Sequence, residues 1–93
     1  MDTSKARSVL NLQLQPYRSR TYTDLTLLIG SLEAYEVPND DGHPYQVEIE
    51  VFWDWKPGGD IRVMGAIDDG GWSAFSPLTE DFLVAAGPDP VGS

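Results

Sequence analysis

At 93 residues the chain is long enough for one hydrophobic core, and a hydrophobic content of 41% with ten aromatic side chains argues against intrinsic disorder. It contains no cysteine, which excludes disulfides, thiolate nucleophiles and cysteine-ligated metals, and no run approaches the roughly 18 apolar residues of a membrane-spanning helix. Residues 1–23 hold Lys5, Arg7, Arg18 and Arg20 against Asp2, a net +3, whereas residues 24–93 hold fourteen of the fifteen carboxylates against Lys56 and Arg62, a net −12; a body so charged favours basic partners and opposes nucleic acid and anionic membranes.

The N-terminal segment MDTSKARSVLNLQLQP has no cleavable-leader pattern, so a cytoplasmic protein is expected. Residues 4–15 carry two patterns. Ala6, Val9, Leu10 and Leu14 form a helical stripe that Thr3 or Ser4 could cap, while Leu10, Leu12 and Leu14 alternate as in a strand. The helix is favoured, with Pro16 ending it. Leu25, Leu28, Ile29 and Leu32 then fall at i, i+3, i+4 and i+7, which predicts a helix over 24–35 capped by Thr23. Gly30 is the discordant residue in it. Asn39-Asp40-Asp41-Gly42 reads as a turn.

From Tyr45 the period becomes two. Tyr45, Val47, Ile49, Val51, Trp53 and Trp55 share one face, and Gln46, Glu48, Glu50, Phe52, Asp54 and Lys56 the other. A second strand, 61–68, sets Ile61, Val63, Gly65 and Ile67 against Arg62, Met64, Ala66 and Asp68. Matching the apolar faces predicts Trp55 opposite Ile61 across a loop of residues 56–60, with Trp53 beside Val63, Ile49 beside Ile67 and Asp54 beside Arg62. Asp69-Gly70 then predicts a tight hairpin that brings Trp72 opposite Ile67, Ala74 opposite Gly65 and Phe75 opposite Met64. A last strand over about 81–85 completes the sheet, and residues 87–93 form a tail beyond a domain of residues 1–86. The fold class is α+β: one or two N-terminal helices packed on an antiparallel meander of three to four strands.

The pairs Asp40-Asp41, Glu48 with Glu50, Asp54 with Asp60 and Asp68-Asp69 sit at turns or on the outward strand face. There a solvated charge is the ordinary state, and neither the spacing of a calcium loop nor a buried acid–base pair is present. His43 is a lone loop histidine, and the paired glycines fit no phosphate-binding pattern. No catalytic residue, cofactor or metal ligand is assigned. The outward face is not simply polar, because Phe52, Met64 and Phe75 align across it with Glu48, Glu50 and Asp54 around them. An apolar patch with an acidic rim has the composition of a protein-binding surface, although cover by the N-terminal segment would make it a second small core. The sequence therefore points to a non-enzymatic acidic binding module for a basic protein, such as an inhibitor or immunity-type neutraliser of a nuclease-like protein. The alternatives are an accessory domain of a larger assembly and, third, a metal-dependent or carboxylate hydrolase. The oligomeric state is left open.

Overall fold

The computed structural model describes residues 1–71 and 76–86. Helix α1 spans Thr3–Arg18 and the short α2 spans Tyr22–Thr26; β1 (Leu32–Val37), β2 (Tyr45–Trp53), β3 (Ile61–Asp68) and β4 (Leu78–Val84) follow. The strands form one antiparallel sheet in the order β1-β2-β3-β4, and α1 packs on one face of it. This is the α+β meander expected from the pattern. No helix among the described residues is long and apolar enough to cross a membrane.

Ala6, Leu10, Leu14 and Tyr17 recur along one side of α1 and are buried against Tyr45, Val47, Ile49 and Val51 of β2 and Ile61, Val63 and Ile67 of β3. Full burial of a leucine such as Leu10 or Leu14 contributes about 1.5–3 kcal/mol. The cap is Asp2, one residue before Thr3, whose side chain accepts from the Lys5 N–H at 3.1 Å. Pro16 does not end the helix, which continues to Arg18. Proline removes the N–H that would reach the Leu12 carbonyl, and both residues lie on the exposed side, where water can serve that acceptor. Leu14 and Tyr17 hold the last turn in the core.

The helix expected over 24–35 is overturned. Thr21, not Thr23, caps α2, and the helix stops at Thr26. Gly30 adopts φ +85°, a left-handed conformation that ends helical continuation and is cheap only for glycine. Its N–H donates to the Val51 carbonyl (2.8 Å), while the Val51 N–H donates to the Ser31 carbonyl (3.4 Å). Two residues thus stand against one, a glycine bulge that launches β1 along β2.

Two register expectations are also corrected. Trp53, not Trp55, stands opposite Ile61, with Val51 opposite Val63 and Ile49 opposite Gly65. The shift is two residues, so every side chain keeps its face, and a facing argument cannot distinguish the two arrangements. The loop lengthens to residues 54–60, closed by the Asp54 N–H donating to the Asp60 carbonyl (2.9 Å) and by Gly58 at φ +82°. Trp55 is left 85% exposed on it rather than in the core. At the other end β3 pairs with β4 directly, so that Leu78 stands opposite Ile67, Glu80 opposite Gly65 and Asp81 opposite Met64. The expected hairpin partners Trp72, Ala74 and Phe75 lie outside the described residues.

A candidate protein-binding face of the sheet

Because α1 covers the face that carries Val47, Ile49, Val63 and Ile67, the alternate residues form an outer face on which no helix lies among the described residues. The register sets these residues in rows. One row runs Leu32, Glu50, Met64, Asp81; a second runs Phe52, Arg62, Leu83; a third runs Ala34, Glu48, Ala66, Thr79. Phe52 and Met64 are half-buried diagonal neighbours, within reach of each other across the β2–β3 pair. Leu32 (57% exposed) and Leu83 (49% exposed) extend the apolar set towards both edges of the sheet.

Acids are interleaved with these apolar groups. Glu36, Glu48, Glu50 and Asp81 are exposed on the face, Asp68 is half-buried on it, and Asp54 follows at the end of β2. The one cation at these positions is Arg62, whose Nε donates to Asp54 Oδ1 at 2.7 Å and whose other arm pairs with Asp81. Asp54 and Arg62 therefore do meet, diagonally rather than as direct partners. Six carboxylates against one guanidinium leave the face strongly negative.

The basic residues of the N-terminal segment lie elsewhere. Lys5 donates to Asn39 Oδ1 (2.7 Å) and pairs with Asp40 (3.3 Å), Arg7 pairs with Glu80, and the Arg18 guanidinium lies 4.4 Å over the Phe82 ring. Each of these contacts joins α1 to the body on the side of the sheet that α1 covers or at its end. The +3 segment thus neutralises the inner side and leaves the outer face unbalanced.

Of the residues singled out in the sequence, Phe52, Met64, Glu48 and Glu50 lie together on this face, and Asp54 lies beside it through Arg62. Phase with Phe75 is not retained at Met64, because Asp81 occupies the position opposite; Phe75 itself lies outside the described residues. Sequence reasoning missed Leu32, Ala34 and Leu83. Leu32 falls within the expected helix, and residues 32–37 give no period-two signal to oppose it, because each alternate set, Leu32, Ala34 and Glu36 or Glu33, Tyr35 and Val37, holds two apolar residues and one acid.

The remaining acids offer less. A recess of about 300 Å³ at one end is lined by Asp2, Lys5, Asn39, Asp40, Asp41 and Asp69; Asp2 and Asp40 are engaged with Lys5, Asp69 with the N-terminal ammonium, and Asp41 accepts from the His43 N–H and the Asn39 amide. His43 is exposed in the β1–β2 loop, its Nδ1 3.8 Å from Asp41. Among the described residues no group of three or more histidine, aspartate or glutamate side chains converges as metal ligands would. The chain matches no family model, no curated protein and no solved structure.

Proposed function

We propose that this chain is a non-enzymatic acidic binding module whose outer sheet face engages a basic protein, as an inhibitor or neutraliser of a nuclease-like protein would. The observation that supports this reading is the division of charge by face. The cations of α1 are engaged on the body, and the outer face, which no helix covers among the described residues, combines Phe52, Met64, Leu32 and Leu83 with carboxylates beside which Arg62 is the one cation. Phe52 and Met64 supply the desolvated centre of such an interface, and Glu48 and Glu50 accelerate the encounter and select the sign of the partner.

The test is capture from a lysate of the source organism by the native chain and by a Glu48→Lys, Glu50→Lys double variant, each eluted with rising salt. Basic proteins should be retained by the native chain, released by salt and lost with the variant. An identical set of proteins on both chains would overturn the reading. With a captured partner in hand, Phe52→Ala should weaken binding by about 2 kcal/mol through faster dissociation, and Glu48→Gln should act on the association rate.

A further inference from the structure

β4, at one end of the strand order, takes contacts from α1 on its inner face, with Arg7 on Glu80 and Arg18 over Phe82. β1 ends the strand order, and the bond from Val51 N–H to Ser31 C=O fixes the alternation of its ladder. From that point the N–H and C=O groups of Glu33, Tyr35 and Val37 turn towards β2, and those of Leu32, Ala34 and Glu36 turn to the open side. Among the described residues no further backbone hydrogen bond reaches these three. The strand is held from behind, where the Tyr35 hydroxyl donates to Gln13 Oε1 at 2.8 Å.

The strands at this edge carry charge of one sign, the nearby cation being Arg20 beside the Tyr17 ring. Residues 21–55 contain eight carboxylates and no lysine or arginine, so Glu33 and Glu36 on β1 and Glu48 and Glu50 on β2 have no cation on either strand. Charged side chains on an edge normally prevent pairing with other copies of the same chain, and a chain of net charge −9 repels its own kind. The same carboxylates do not oppose a strand that carries positive charge.

We propose that β1 accepts an extended basic segment of a protein partner by strand addition. Leu32, Ala34 and Glu36 supply the main-chain hydrogen bonds. Lysine or arginine side chains of the segment lie beside Glu36 on the outer face and Glu33 on the inner, and small apolar side chains lie beside Leu32 and Ala34. The proposal rests on the reading of the chain as a binder of basic proteins, and it adds the mode of contact.

The probe is a capped peptide repeating lysine-valine-valine, whose spacing of three sets lysines beside both Glu33 and Glu36, mixed with the full native chain at low salt while amide hydrogen exchange is followed. Exchange at Leu32, Ala34 and Glu36 should slow selectively, by about tenfold or more. Ala34→Pro removes an edge-facing N–H that no ladder bond uses, leaves the charge unchanged, and should weaken peptide binding by about tenfold or more. Peptide binding without protection of these three amides, or undiminished binding to a folded Ala34→Pro chain, would overturn the edge proposal and leave the sheet-face reading standing. Absence of peptide binding at low salt would also overturn it. Protection of the same amides in the protein alone, growing with its concentration, would assign the edge to a second copy and overturn it equally. Failure of the sheet-face reading is seen separately, in the insensitivity of captured proteins to Glu48→Lys, Glu50→Lys.

Discussion

Gly65 sits at the closest approach of helix and sheet. A Cβ built there would lie 2.8 Å from Leu10 Cδ1 and 3.2 Å from Leu14 Cδ2, and both leucines are fully buried. A larger side chain must push α1 off β3, so Gly65→Val should destabilise by about 1–3 kcal/mol, measured by urea unfolding. Trp55 and Ile61 make the opposite comparison. Ile61 is fully buried, whereas Trp55 is exposed on the 54–60 loop with Lys56 5.5 Å from its ring centre. Ile61→Ala should cost about 2–5 kcal/mol, and Trp55→Ala should stay within about 0.5 kcal/mol of the native chain. Equal losses at the two positions would show that the tryptophan packs where the loop geometry leaves it exposed.

At the scale of elements, the contact between α1 and β1 is pH-sensitive in one direction. Burial and the hydrogen bond with Glu33 push the Tyr17 phenol up to about 12 from an ordinary 10.0, and burial followed by the Glu33 charge raises Tyr35 as well. The fold therefore prefers the neutral phenols. Their contribution is complete below the unfolded value near 10 and is lost as pH climbs through the folded value. Thermal midpoints should fall between pH about 10 and about 12, and Tyr17→Phe, which cannot ionise, should fall less steeply over that window. The elements themselves were unequally legible in the sequence. β2 and β3 declared themselves by alternation, and the stripe Ala6, Leu10, Leu14 favoured the helix that forms. The 25–32 stripe misled, because a short helix and a strand launched by a bulge can mimic a helical period over eight residues. The faces of β2 and β3 were readable, yet the register was not, since a shift of two preserves every face and only the loop bonds of Asp54 and Gly59 decide it. The outer-face residues Phe52, Met64, Glu48 and Glu50 were found for that same reason: membership of a face survives an error of register.

Over the whole molecule, the placement of charge matters more than its sum. A −9 chain could still hold nucleic acid if its cations formed an exposed stripe. Here Lys5, Arg7 and Arg18 are engaged with Asp40, Glu80 and Phe82, Arg62 lies between Asp54 and Asp81, and Arg20 is near the Tyr17 ring at 5.8 Å. A phosphate backbone approaching the outer face meets carboxylates, and one approaching α1 must compete with the ion pairs of Lys5 and Arg7 and with the ring contacts of Arg18 and Arg20. Non-specific binding to nucleic acid is strongest at low salt, where proteins with free basic patches reach affinities tighter than about 10⁻⁶ M. The native chain should give no mobility shift with DNA or RNA there at concentrations up to about 100 micromolar, the weak end of non-specific binding. Arg7→Ala should not alter that result, because the carboxylate it releases, Glu80, adds to the repulsion. A micromolar complex at low salt, abolished by Arg18→Ala and Arg20→Ala together, would show that the C-terminal end of α1 presents its cations outward, and the assignment of a basic partner would then give way to an anionic one.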